Sequence, residues 1–143
     1  MTKLLLSLHV LAAIVFIGPI TVAASLFPRY AKESAEGVAA FLHRICSGYA
    51  FAGLAVPILG FATGAALGVL TDPWLIASVI LTAAAAGVLG FAILPGQQRM
   101  LAADRPAAAA TAGRLAMLTG VFNLLWAVVV VLMIVRPGST TGA

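Results

Sequence analysis

The chain has 143 residues, of which 63% are hydrophobic, and it carries only 8 Lys+Arg and 4 Asp+Glu. Its 8% charged residues compare with about 25% in soluble domains, too few to cover a water-facing surface. So apolar a composition also excludes a disordered chain. An integral membrane protein with the lipid bilayer as its solvent remains.

The charges part the chain into four uncharged runs: 4–28, 45–71, 73–98 and 115–135. Each reaches the roughly 20 apolar residues that a helix needs to cross a hydrocarbon core about 30 Å thick. The expected fold is therefore all-α: an integral membrane four-helix bundle in a single domain. Its spans should lie at about 4–27, 45–70, 74–94 and 115–135. A β-barrel would alternate apolar and polar residues in segments of about ten, whereas these runs are continuous. Lys3, the following apolar run and Val22-Ala23-Ala24 loosely match a signal peptide. The run is too long for such a core and is read as a spanning helix.

The first connection holds Arg29, Lys32 and Arg44, and the third holds Arg99, Arg105 and Arg114. With four spans these connections share one side. The other side has only Lys3 and Arg136. The excess of basic residues on cytoplasmic loops then predicts a multi-pass protein of the bacterial inner membrane with both termini outside. Arg29, His43, Arg44 and Arg114 should lie at the cytoplasmic interface. The net charge of +4 follows from this asymmetry, and no block of like charges calls for a nucleic acid.

Local signals set the corners. Helix 2 should begin near Ser34, with Glu36 in its first turn, and helix 4 at Pro106 after Asp104. Helices 2 and 4 should therefore extend on the cytoplasmic side. Pro57 should kink helix 2. In Thr71-Asp72-Pro73, Asp72 should cap helix 3, with Trp74 as an interfacial anchor. The tail after Arg136 has no helical pattern. A faint repeat relates Leu26-Phe27-Pro28 with Arg44 to Leu94-Pro95 with Arg114; prolines and arginines simply ending membrane helices would give the same pattern.

Gly60, Gly64 and Gly68 stand four apart, a spacing that lets helices approach closely in lipid. The stripe fits either a homo-oligomer seam or packing within the bundle. Asn123 inside helix 4 needs a partner on another helix. His9 lies about 8 Å inside the first span at 1.5 Å per residue. An imidazole at that depth can ligate haem iron or a metal, or relay protons; it can equally bond a neighbouring carbonyl. His43, at the other side, should be separated from it by some 20 to 30 Å, and beside Arg44 it reads as a headgroup contact. Met1, Met100, Met117, Met133 and Cys46 are scattered, without the clustered soft ligands of a copper path. All four acids lie outside the spans, and no nucleotide loop or nucleophile–base pattern is present. Catalytic residues and a resident metal are therefore not expected.

Leu8-His9-Val10-Leu11-Ala12-Ala13, Phe16-Ile17-Gly18 and Leu26-Phe27-Pro28-Arg29 resemble the first helix of a superfamily of small membrane proteins. It contains copper-resistance D-type proteins, the HemJ-type protoporphyrinogen oxidase and the domain-of-unknown-function 2269 family, the last being the nearest in pattern. Arg44 and Pro73-Trp74-Leu75 also fit. The resemblance implies a four-helix architecture and a haem b site with His9 as the candidate axial ligand. The basic residue that accompanies that histidine in helix 3 of the HemJ-type enzymes has no counterpart between Trp74 and Leu94.

Three functions follow as expectations. The first is a non-enzymatic accessory subunit that self-associates into a homo-oligomer or packs on a larger membrane complex. The second is a haem-binding redox or haem-handling protein using His9. The third, metal or solute transport, needs an intramembrane polar path, for which His9, Ser47, Thr63, Thr82 and Asn123 are sparse.

Overall fold

The computed structural model describes residues 2–32, 36–103 and 105–137. Among these residues the protein is entirely helical. Four helices are long and apolar enough to cross a membrane: α1 (Thr2–Ala31), α2 (Gly37–Leu67), α3 (Pro73–Ala102) and α4 (Pro106–Val135). The expected signals at Ser34 and Asp104, the side chain of Glu36 and the tail from residue 138 fall outside the described residues. The rods are longer than the apolar runs. Helix α1 continues through Pro28, and α3 through Pro95 to Ala102. The extension expected of helices 2 and 4 is thus shared by all four, because a charge ends an apolar run without ending a helix.

Four prolines lie in helix interiors; α1 runs on through Pro28, and the ladder adjusts locally at the other three. A proline at position i supplies no N–H and crowds the carbonyl at i−4. Wider π-helical turns precede two of them, Ala13–Ile17 before Pro19 and Leu89–Ile93 before Pro95. In the second, Leu94 N–H reaches back five residues to Leu89 O, moving the ladder past the proline. Pro57 acts four residues upstream of itself. Helix α2 is divided there into Glu36–Ala52 and Ala55–Leu67, and Val56 N–H closes a tight turn on Gly53 O at 3.0 Å. Helix α4 has no such break and runs unbroken through Arg105–Val135, so the two halves of the chain are not copies in detail.

The α2–α3 corner is a Schellman motif. Gly68 takes φ +70°, Gly68 N–H bonds Ala65 O, and Val69 N–H bonds Gly64 O at 3.1 Å, which satisfies the last carbonyls of α2. Asp72 precedes α3, but its side chain makes no cap; Trp74 Nε1 donates to its Oδ2 at 3.1 Å. Trp74 is accordingly buried against Val69 and Leu75.

The main core lies toward the end that carries the two basic connections. Ile20, Ala24 and Phe27 of α1 meet Ala39, Leu42 and Cys46 of α2, Leu89 and Ile93 of α3, and Leu115 and Phe122 of α4. These positions recur at three- and four-residue spacing, one buried stripe per rod. At the opposite end, near Thr2 and Val135, the described residues form the small cluster of Val69, Trp74 and Leu75. The outward faces are apolar: Phe51 is 79% and Phe91 87% exposed, as helices bathed in lipid require.

The break in α2 demands glycine. A Cβ at Gly53 would lie 2.9 Å from Tyr49 O, whereas one at Gly48, a turn earlier, would meet nothing within 4 Å. Gly53→Ala should lower stability by about 1–3 kcal/mol, and Gly48→Ala should be neutral or stabilising by up to about 1 kcal/mol. Thermal melts of both variants in detergent check the contrast, and equal melting temperatures would contradict it.

A candidate ligand cavity beside His9

His9 lies on the inner face of α1, and the sequence provides it with a seat on α2. Its Nδ1 is 2.9 Å from Val56 O. A carbonyl only accepts, so Nδ1 carries the proton, and in the neutral ring Nε2 keeps its lone pair. That carbonyl is reachable because the residue one turn later is Gly60. A helical side chain covers the turn before it, and Gly60 leaves that turn bare. The ring fills the space: a Cβ at Gly60 would stand 3.0 Å from His9 Cε1 and 3.4 Å from Nδ1.

Beside the ring is a cavity of about 680 Å³, within the roughly 300–1,000 Å³ of small-molecule sites. All four helices contribute, through residues such as Ile14 and Gly18 of α1, Gly60 of α2, Trp74 of α3, and Trp126 and Ile134 of α4. Its origin lies in the packing. The second half of α1 lies on α2 and α4, but its first half packs on the distal half of α2. A wedge therefore opens between the first half of α1 and the last turns of α4. Ile14 and Ile134, which line it, are 65% and 67% exposed, so the wedge is open to the outside of the bundle.

The polar lining is short. Thr63 Oγ1 donates to Leu59 O at 2.7 Å, and Trp74 Nε1 is bound to Asp72. Trp126 Nε1 is buried without a hydrogen-bond partner. Arg136 stands at the mouth, its guanidinium 5.4 Å from the Trp74 ring centroid. No three His, Cys, Asp or Glu side chains among the described residues gather as a metal site. A metal held at His9 must then bring its other ligands with it, as a macrocycle does.

The remaining expected residues scatter. Gly64 faces Leu75 and Leu70, with 3.0 and 3.1 Å for an added Cβ, and Gly68 ends the helix. Gly60 thus seats a histidine of α1, Gly64 admits neighbouring leucines, one of them from α3, and Gly68 forms a cap. Asn123 Nδ2 donates to Ser25 Oγ at 3.5 Å across the α1–α4 contact, and its Oδ1 is buried without a partner. Arg29, Arg44 and Arg114 are exposed.

His43 departs from the headgroup contact expected of it and turns inward. Its Nδ1–H donates to Gln97 Oε1 at 2.7 Å, and Ser47 Oγ–H reaches its Nε2 at 3.5 Å. Gln97 Nε2 donates to Cys46 Sγ at 3.5 Å, and the thiol points to Ile20 O at 3.9 Å. This relay ties α1, α2 and α3 together. Its key member, the fully buried Gln97, gives no sign in sequence, because it follows Pro95 at the end of an apolar run.

The seat of His9 can be tested by a double-mutant cycle. Gly60→Ala should destabilise the wild type by about 1–3 kcal/mol and do far less in a His9→Ala background, with a coupling of about 0.5–3 kcal/mol. Additive effects in thermal or denaturant unfolding would mean that the ring and Gly60 are independent. No protein-family model, curated protein or solved structure matches the chain.

Proposed function

We propose that the protein is a membrane ligand-binding protein whose lateral cavity holds a large apolar group through His9, and that haem b is the group the residues fit best. The observation that carries this reading is the histidine in its setting. Nδ1 is fixed on a backbone carbonyl while the ring borders an apolar cavity of about 680 Å³. Ligating histidines almost always donate their other N–H in this way, which fixes the tautomer and raises the basicity of the free nitrogen. A bound haem would supply iron for one-electron chemistry. The chain's own part is to hold Nε2 in place, exclude water with apolar walls and admit the group from the side. The resemblance of the first helix to the superfamily of the HemJ-type enzymes points the same way.

The accessory-subunit reading draws on exposed apolar faces that any four-helix membrane protein possesses, and the cavity is the feature such a role leaves unused. Transport draws no support from the polar residues: Thr63 bonds its own helix, while His43 and Ser47 belong to the relay at the other end.

Hemin added to the purified protein should give a Soret band shifted from that of free hemin, and His9→Ala should weaken binding by at least about tenfold, or 1.4 kcal/mol. A folded protein that leaves the spectrum of free hemin unchanged, or a band untouched by His9→Ala, would overturn the proposal.

We also propose the orientation in the bacterial inner membrane with both termini outside, on the strength of the basic connections. In a Cys46→Ser background, a cysteine at Ala103 should escape an impermeant thiol reagent in intact cells and react after lysis. Labelling of intact cells would invert the topology.

A further inference from the structure

The cavity parts the bundle into two bodies. On one side stand Thr2–Ala12 and Ala55–Leu67, the first half of α1 and the distal half of α2. They pack closely on each other, and neither comes comparably close to α4. The bond from His9 Nδ1–H to Val56 O at 2.9 Å and the seat of the ring on Gly60 hold them together. On the other side, the second half of α1 packs on the first half of α2 and on α4, and α3 packs on α4. The distal half of α2 also meets this second body beside the corner, where Leu67 packs on the cluster of Val69, Trp74 and Leu75. His9, Val10 and Gly60 line the cavity from the first body, and Trp126, Val130 and Ile134 line it from the second.

Each attachment of the first body to the rest of the chain lies where the α-helical ladder is interrupted. Ala12 passes into the π turn Ala13–Ile17, which Gly18 and Pro19 follow. Ala55 follows the turn at Gly53 and Leu54, and Pro57 withholds a backbone donor just beyond it. Leu67 gives way to the non-helical residues 68–72. A helix bends most readily at a missing or displaced rung, and hinges are a few residues at element ends that absorb changes in φ and ψ. The first two interruptions stand at one level of the bundle: a Cβ at Gly53 would lie 3.8 Å from Cδ1 of Ile20, just past the π turn. On the far side of that level the second body is tied, with the Cys46 thiol directed at Ile20 O at 3.9 Å.

We propose that Thr2–Ala12 and Ala55–Leu67 move as one arm, pivoting at Ala13–Gly18, Gly53–Leu54 and the corner, and that the position of this arm regulates access to the cavity. The movement stands on the packing alone, whereas its role rests on the reading of the cavity as a ligand site. His9 belongs to the arm. A group bound at its Nε2 and lying against Trp126 and Ile134 touches both bodies, so it binds the closed arrangement better than the open one and shifts the arm inward. Outward movement parts the two walls and lets the group pass.

Spin labels on introduced cysteines, in a Cys46→Ser background, test the arm without any ligand. Leu4 and Ile58 are exposed positions of the arm, and Phe91 and Leu124 are exposed positions of the second body. In liposomes, the Leu4–Ile58 and Phe91–Leu124 distance distributions should each be single and narrow. The Ile58–Leu124 distribution should be at least about twofold broader. Pro57→Ala restores a backbone donor to α2 and should narrow it. Equal widths for the three pairs, or a Leu4–Ile58 distribution as broad as that of Ile58–Leu124, would overturn the proposal. A width untouched by Pro57→Ala would count against the pivot at Gly53; should that variant not fold, the distances in the otherwise unaltered chain decide alone. Zinc protoporphyrin, which is diamagnetic and takes one axial imidazole, tests the regulation. It should narrow the Ile58–Leu124 distribution, and Pro57→Ala should slow its association and release severalfold. Porphyrin binding that leaves the distribution unchanged would end the regulatory role. If the porphyrin does not bind, the haem reading fails and that role with it, whereas the arm itself stands or falls on the ligand-free distances.

Discussion

An amide buried in an apolar surround has no solvent to fall back on, so each carbonyl that a proline releases must find another partner within the chain. The rest of this structure depends on that constraint. At Pro19 and Pro95 the wider π turns meet it inside the helix itself. At Pro57 it is met by a break, with Gly53 accepting a short turn that no larger residue would permit. The break resets the direction of the distal half of α2, and on that half Val56 offers its carbonyl to His9. The imidazole is therefore held by the same irregularity that a uniform helix would have lacked.

The two ends of the bundle are unequal for a related reason. Toward the basic connections, Phe27 and Phe122 fill the space between helices. The relay from Ser47 through His43, Gln97 and Cys46 to Ile20 satisfies the polar groups that this packing buries. Each member of such a relay is costly to leave unpaired in a low-dielectric interior, so it sets the register of α1, α2 and α3 against one another. Toward the other end the described residues show no equivalent network. There the first half of α1 packs mainly on the distal half of α2, and the Trp74 cluster closes the α2–α3 corner. A firm end and an open end in one bundle let a site form without loosening the whole.

The four apolar runs in the sequence were enough to give the number of helices and their approximate places, because continuous apolar length is a direct consequence of what a helix in lipid must expose. Helix ends were not legible from it: the residues that end an apolar run at Arg29 and Arg99 sit within helices that carry on. That His9 could bond a neighbouring carbonyl was legible, but not which one, since a main-chain carbonyl has no letter in the sequence. The glycine spacing was visible, but not what each glycine packs against. Equal intervals at Gly60, Gly64 and Gly68 conceal a ring seat, a leucine contact and a left-handed cap, and only the tertiary neighbours tell these apart. His43 was misread toward the headgroups because its partner, Gln97, lies beyond a proline at the end of a run; a lone amide there has no periodic signal. The cavity itself arises from the divergence of two rods, which no local pattern encodes.

The lining of the cavity bears on the ligand reading proposed for it. A fault is repaired by larger side chains, and the positions to repair this one are available. Gly18 lines the cavity, and a Cβ added there would meet nothing within 4 Å; Ala13, a turn earlier, also lines it. Larger residues at these two places would extend into the space and bring buried apolar contact, worth roughly 25 cal/mol per Å². Gly60 is different, for its missing side chain is already replaced by the His9 ring. Small residues thus stand where growth is sterically free as well as where it is forbidden. Packing explains the second group, whereas the first leaves room that the ligand proposed above would occupy.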